Sequence, residues 1–264
     1  MKYYDSHCHL QDGRLSAFTS DVLELYKRLG VAEVVTNGTG PDDWEAVAVL
    51  ARDSELVKPS FGVHPWKVNK VVAHWKLVLS QFWDLYPEAG VGEIGLDRWI
   101  EGHDLAKQEP VFLWQLRQAA ERDMPVSIHC LRAWGRMQEL LNEGPLPARG
   151  FLLHSYGGPL EMVQPLAKLG AYFSISGYFE LENKEKQRTA LKEIPLDRIL
   201  IETDAPDMLG PNSSERYRFN DDDSLNHPAN IVNVYAFVAR LFDMPLEELA
   251  GQVESNYLRF FCSE

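Results

Sequence analysis

Short β-rich segments alternate with longer amphipathic ones from end to end of this chain, the pattern of repeated βα units and a parallel sheet. Apolar and β-branched runs predict strands over residues 2–5, 31–36, 57–62, 89–93, 126–129, 150–154, 171–174 and 198–202. Between them, helices are predicted over 16–29, 41–51, 71–85, 104–122, 133–141, 160–169 and 184–193. Within 104–122, the apolar Phe112, Leu113, Leu116 and Ala119 recur at the 3–4 spacing of a helix with one buried face. A polar loop over 207–226 follows the last strand, and two further helices are predicted at 228–241 and 245–261. Eight strands in 264 residues match the ~250 typical of a closed parallel barrel. The predicted fold is therefore of the α/β class, a TIM-type (β/α)8 barrel with added C-terminal helices. No linker or low-complexity stretch breaks the alternation, so residues 1–264 are read as a single domain.

The polar residues at the predicted strand ends change the picture from fold to chemistry. His7 and His9, one residue apart after the first strand, point to the same face by the two-residue period of a strand. Glu93 closes the fourth strand, His129 the fifth and His154 the sixth, and Asp204 follows the eighth. In a parallel barrel these ends converge on one mouth, where active sites are built. Four imidazoles and two carboxylates there form a nest for two divalent metal ions, with a carboxylate able to bridge them. Mixed nitrogen and oxygen ligands suit Zn, Mn, Co or Ni better than Mg alone and select none of them. Water activated at such a site hydrolyses an ester, amide or phosphodiester. Asp204 is placed to take the proton from that water, so Asp204 and Glu93 are the candidate catalytic residues.

Six segments carry a family resemblance: Asp5-Ser6-His7-Cys8-His9-Leu10, Gly62-Val63-His64-Pro65, Gly92-Glu93-Ile94-Gly95-Leu96-Asp97, Pro125-Val126-Ser127-Ile128-His129, His154-Ser155-Tyr156-Gly157-Gly158 and Glu202-Thr203-Asp204-Ala205-Pro206. Their order and spacing, with Gln108, Phe112 and the ending Asn256-Tyr257-Leu258-Arg259-Phe260-Phe261, resemble TatD-type metal-dependent deoxyribonucleases over essentially the full length. The resemblance implies a metal-dependent barrel of the amidohydrolase superfamily, with DNA as the substrate. It also implies one metal on His7, His9, Glu93 and Asp204, and the other on Glu93, His129 and His154. Glu93 stands where sister enzymes often carry a carboxylated lysine, which points away from dihydroorotase- or phosphotriesterase-like sites. Two places depart from the family pattern. The usual His-x-Arg-Asp/Glu-Ala reads His129-Cys130-Leu131-Arg132-Ala133-Trp134, displacing the arginine by one residue, and His227 replaces an acidic residue before Pro228.

Around this set, His64 is a candidate to bind a substrate phosphate, and Arg98 and Arg132 are candidates to clamp phosphate oxygens. The default for an arginine, a surface salt bridge, stands beside that reading. Asp97 is either an acceptor that orients a ligand histidine or the cap of a turn. Tyr156 and Trp99 are loop aromatics expected to pack rather than to stack on a base. Cys8 and Cys130 are expected to be buried thiols, and His74 and His103 to lie on the surface without a role.

The net charge of −13 argues against binding a polyanion over the whole surface, although bound metal can reverse the field in one pocket. Acidic runs such as Asp221-Asp222-Asp223 are expected to be solvated. No apolar run is long enough to span a bilayer, residues 1–5 do not resemble a signal peptide, and three scattered cysteines form no disulfide framework. A cytoplasmic monomer with no membrane partner is expected. Two other functions compete with the nuclease: hydrolysis of a small amide, lactone or phosphoester at the same metals, and a noncatalytic barrel that binds nucleic acid or protein.

Overall fold

The structure, a computed structural model, describes residues 1–219 and 223–262. Asp221 and Asp222 of the predicted acidic run lie outside the described residues, whereas Asp223 pairs with Arg216 and Arg218. Eight parallel strands pair in chain order: β1 (Tyr3–Cys8), β2 (Val31–Asn37), β3 (Val57–Phe61), β4 (Gly90–Asp97), β5 (Val126–Leu131), β6 (Phe151–Leu153), β7 (Ala171–Ile175) and β8 (Ile199–Ile201). The last strand returns to the first. His9 N–H donates to Ala205 O at 2.8 Å, Asp204 N–H to His7 O at 2.9 Å, and Ser6 Oγ–H to Ile201 O at 2.9 Å. The TIM-type barrel predicted from the alternation is the observed fold.

The helices wrap the outside: α1 (Thr19–Leu29), α2 (Trp44–Asp53), α3 (Trp75–Leu85), α4 (Leu105–Arg122), α5 (Trp134–Glu143), α6 (Leu160–Lys168), α7 (Glu185–Leu191), α8 (Ile231–Leu241) and α9 (Leu246–Phe261). α1, α2 and α3 begin three or four residues later than predicted, because turns occupy their approaches. Ahead of α2, the Asp43 carboxylate accepts from the N–H groups of Thr39 and Gly40 and so ties up that turn.

On α4, Phe112, Leu116 and Ala119 are buried as their spacing predicts, and the same face also buries Gln108 and Gln115. Those amides act as clamps. Gln108 accepts from Asp97 N–H and donates to Asp97 O, at 2.8 and 2.9 Å. Gln115 does the same for Val63, at 2.7 and 3.2 Å. Two strand ends are thereby fixed to one outer helix.

β4 is the largest departure from the predicted boundaries. It continues four residues past Glu93, so that Glu93 lies inside the strand and Asp97 at its end. The predicted strand contains Gly92 and stops before Gly95. In the fold they are close-approach positions: a Cβ on Gly95, at φ +149°, would lie 1.9 Å from His129 O. β1 likewise runs to Cys8, three residues beyond its predicted end.

The opposite end of the barrel is stoppered by α9. Tyr257, Phe260 and Phe261 pack with Tyr4, Val35, Leu152, Tyr172 and Leu200. Tyr4 and Tyr257 rings lie 4.4 Å apart, and Tyr172 and Phe260 rings 4.7 Å. Asn256 donates to the carbonyls of Leu196 and Ile199, both at 2.8 Å, holding α9 to the start of β8. No helix among the described residues is long and apolar enough to cross a membrane.

Candidate metal centre at the barrel mouth

All six residues expected to bind metal meet at the C-terminal end of the barrel, with Glu93 between them. Its two oxygens face different partners. Glu93 Oε2 lies 3.5 Å from His7 Nε2 and 3.3 Å from His9 Nε2. Oε1 lies 3.0 Å from His129 Nδ1 and 2.8 Å from His154 Nε2. Asp204 joins the first group, its Oδ1 being 3.7 Å from His7 Nε2 and 3.5 Å from His9 Nε2. The backbone at Asp204 is left-handed, at φ +51°, which aspartate tolerates better than most residues.

Hydrogen bonds behind the rings fix which nitrogens face the centre. His9 Nδ1–H must donate, because its partner at 2.8 Å is the Asn37 carbonyl, so Nε2 presents a lone pair. His129 Nε2–H donates to Asp97 Oδ2 at 2.9 Å, leaving Nδ1 toward Glu93. His7 Nδ1 pairs with Ser127 Oγ at 2.8 Å. His154 Nδ1 and Glu202 Oε1 stand 3.6 Å apart, and neither atom has a hydrogen-bond partner among the described residues. Outer groups of this kind set tautomer and ring orientation in metal sites.

Both readings of Asp97 hold, one for each oxygen. Oδ2 accepts from His129 and from Trp66 Nε1–H at 2.8 Å. Oδ1 accepts from the N–H groups of Trp99 and Ile100, at 2.6 and 3.0 Å, closing the turn after β4.

The electrostatics fit divalent cations. Glu93, Asp97, Glu202 and Asp204 are 3%, 0%, 0% and 8% exposed, and among the described residues no lysine or arginine pairs with any of them. Buried carboxylates cost several kcal/mol each when uncompensated. Among the described residues, imidazoles are the only side chains facing them that can carry a positive charge. Burial opposes the charge on Glu93, yet the facing imidazoles, His154 through its charge and both His129 and His154 through hydrogen bonds, hold its carboxyl well below the usual range. Burial likewise opposes charging of His9 and His154. The carboxylates facing them nonetheless lift both imidazoles well above the ordinary value. His7 goes the other way, lowered by burial and by His154, whose ring stacks on it at 4.0 Å. A cluster that draws protons onto imidazoles to balance buried acids is one in which a dication can take their place. Among the described residues, three groups have ligand spacing, the first two sharing His7: His7, His9 and Asp204; His7, His154 and Glu202; and His64, Glu93 and His129.

His64 reaches the centre, 3.3 Å from Glu93 Oε1, but its tautomer sets it apart. Its Nδ1 accepts from Trp66 N–H at 3.1 Å, so Nε2 carries the hydrogen and faces inward as a donor. Burial pushes its pKa down to about 4, which keeps it neutral. Arg98 and Arg132 are exposed at the rim, and among the described residues neither guanidinium makes an ion pair or hydrogen bond. Arg98 N–H donates to Leu131 O at 2.9 Å, which brings the two arginines to neighbouring strand ends.

Tyr156 is 1% exposed and packs, as expected, but Trp99 does not: it is 55% exposed. Cys8 and Cys130 are buried, and His74 and His103 are exposed. His227 caps the turn before α8 by accepting from Ala229 N–H at 3.0 Å and stacks on Phe219, so its buried ring is structural. Sequence reasoning gave no role to Ser127, Asn37, Trp66 or Glu202. For Glu202 a signal existed, since it directly follows β8 two residues before Asp204. The others could not be found from one sequence, because contacts across strands or through a backbone carbonyl leave no local pattern.

Residues 4–262 match the model of the TatD related DNase family. An uncharacterized metal-dependent hydrolase of Escherichia coli, YjjV, is 26% identical over 98% of both chains. A 3'-5' ssDNA/RNA exonuclease, TatD of Shigella flexneri, is 28% identical over 98% of both. The crystal structure of YjjV superposes with a TM-score of 0.90 at 25% identity, covering 99% of this chain and 98% of that one. A phosphotriesterase homology protein of Escherichia coli, solved with phosphate in its active site, shares the fold at a TM-score of 0.68 and 16% identity, with 98% of each chain covered.

Proposed function

The chain belongs to the TatD-related DNase family of metal-dependent hydrolases, and from that premise we propose that it removes nucleotides from the ends of DNA by hydrolysing phosphodiester bonds at a pair of divalent ions. One observation carries the reading: Glu93 turns one oxygen to His7 and His9 and the other to His129 and His154, the arrangement of a carboxylate shared by two ions. One ion would be held by His7, His9, Glu93 and Asp204, the other by Glu93, His129 and His154. Zn, Mn, Co, Ni and Mg are the ions to test. When bound, such ions offset the charge developing on phosphoryl oxygens and bring the pKa of water toward ~7.

The remaining work falls to the chain's own groups. Asp204, as catalytic base, takes the proton of the attacking water at its carboxylate. His64 Nε2–H donates to a phosphoryl oxygen, and Asp97 holds His129 in the one orientation that leaves Nδ1 free. Arg98 and Arg132, free of other partners among the described residues, take the neighbouring phosphate. Residues 1–264 act as one domain, a monomer in the cytoplasm, in keeping with the three unpaired thiols of Cys8, Cys130 and Cys262.

A second reading keeps the ions and exchanges DNA for a small amide, lactone or phosphoester. It is favoured by the net charge of −13, unusual for a protein that must approach a polyanion. Full-length protein, stripped with chelator and reloaded with each ion in turn, separates the two on end-labelled DNA and a panel of small esters. DNA shortened stepwise only after reloading supports the nuclease. Intact DNA beside rapid turnover of a small ester replaces it.

A further inference from the structure

Two tryptophans stand exposed beside the centre and have no part in the chemistry above. Trp66, in the turn after β3, is 47% exposed; Trp99, in the turn after β4, is 55% exposed. β3 and β4 are hydrogen-bonded neighbours, so the two turns are adjacent at the mouth. Both are tied to the same carboxylate: Asp97 Oδ2 accepts the Trp66 indole N–H, and Oδ1 accepts the Trp99 backbone N–H. The Trp66 ring centre is 5.0 Å from that of His64 and 6.5 Å from that of His129.

A tryptophan ordinarily buries its large apolar face and satisfies its N–H. Trp66 satisfies the N–H on a fully buried acid yet leaves about half of its surface in water. The hydrogen bond anchors one edge of the ring, so a planar ligand would meet a surface whose rotamer is already chosen. Arg98 lies between Asp97 and Trp99 in the chain and adds an exposed cation that has no partner among the described residues. A planar aromatic group joined to a phosphate fits these three features, with the phosphate toward His64 and the ions.

We propose that Trp66 and Trp99 form a stacking platform for the terminal nucleobase of the strand, with Arg98 on the phosphate next to it. The inference rests on the nuclease reading and specifies how the strand end is gripped. Aromatic stacking accepts every base, because each has a π-face, so the platform confers preference for a base over no base rather than for a sequence. It also explains how a chain this acidic can engage DNA: the grip is local and largely apolar, and few phosphates need be neutralised.

The test compares a short oligonucleotide with its counterpart abasic at the terminal residue, using the full-length, metal-loaded protein. In the wild type the abasic end should raise KM about tenfold. In Trp66→Ala and Trp99→Ala that ratio should fall toward one. Trp66→Phe should keep most of it, because phenylalanine stacks but cannot donate to Asp97; loss in Trp66→Phe equal to that in Trp66→Ala would assign Trp66 to positioning Asp97 and overturn the platform. A second readout needs no turnover. A thymidine dinucleotide should quench part of the tryptophan fluorescence, and that part should vanish in the double alanine variant. Cleavage of both ends at equal KM, with no quenching, overturns the platform and leaves the nuclease standing. Quenching without any cleavage of DNA sinks the nuclease and keeps the platform.

Discussion

The two ends of the same eight strands solve opposite problems. At the closed end, aromatic side chains from α9 and the barrel interlock, and burial of apolar surface stabilises the fold. At the mouth, Glu93, Asp97, Glu202 and Asp204 sit buried with imidazoles as the only groups among the described residues that can offer them a countercharge, and burial costs stability. The backbone repeats the contrast in part. Entering β2, β6 and β7, the left-handed positions are Gly30, Gly150 and Gly170, which take that conformation without penalty, although Asp123, ahead of β5, takes it as well. Leaving β5, β6 and β8 they are Arg132, Ser155 and Asp204, at φ +56°, +42° and +51°. Side chains held in that region cost about 1 kcal/mol or more each. One end of the barrel carries the stability on which the strain and desolvation at the other depend.

The strongest break of this contrast is a pair of substitutions. Glu93→Gln keeps the volume of the side chain and removes the shared charge, so hydrolysis should fall below detection and the number of tightly bound ions should drop. Circular dichroism should stay that of the wild type. Phe260→Ala should do the reverse, costing about 3–5 kcal/mol in urea unfolding while kcat/KM per folded molecule stays within about twofold. If Phe260→Ala silenced the folded enzyme, the two ends would be coupled and the division of labour wrong.

Acid should loosen the mouth first. Burial lowers His227 from 6.5 to about 4 in the folded chain. Between those values the unfolded chain binds the extra proton, so the stability that neutral His227 contributes is complete above pH 6.5 and is lost as the pH falls toward 4. His227→Asn keeps an acceptor for Ala229 N–H and removes the titration. Urea midpoints measured across that window should therefore slope less in the variant. Part of the slope should remain, because His64 is displaced in the same direction. An unchanged slope would mean that the His227 ring is open to water.

How much of this could be read in the residues differs between the two ends for a physical reason. The candidate ligands announce themselves, because a strand that ends in His or Glu at a barrel mouth leaves a local signature: His7-x-His9, His129, His154 and Asp204 all meet at the mouth. Glu93 was found although its strand was cut short. Gly95 lies beyond the predicted end of that strand, and close approach of β5 is what requires glycine at 92 and 95. What stayed hidden acts across the fold. Gln108 and Gln115 look like surface residues of an amphipathic helix until their amides are seen clamping Asp97 and Val63. Trp99 was expected to pack, since size predicts burial; its exposure follows from a turn that Asp97 closes from its own side. The aromatic stopper was legible only as an apolar helix face, because nothing local says which end of a barrel a helix will close.

The smallest predicted effect probes the strain directly. Glycine in place of Arg132 removes a side chain from a left-handed position and also removes a guanidinium with no partner among the described residues. Relief of the backbone favours Arg132→Gly, and the greater freedom of glycine in the unfolded chain partly offsets it, so stability should rise by up to about 1 kcal/mol. KM for an oligonucleotide should rise a few-fold as the phosphate contact is lost. Alanine in place of Gly150 is the mirror experiment at the closed end. Its Cβ would stand 2.1 Å from Gly170 O at φ +89°, so this change must destabilise while leaving KM alone. Opposite signs in stability for the two substitutions would establish that Arg132 holds at the mouth a strain which Gly150 avoids at the closed end. A loss of stability in Arg132→Gly would instead make that arginine part of the scaffold, and would remove it from the phosphate grip.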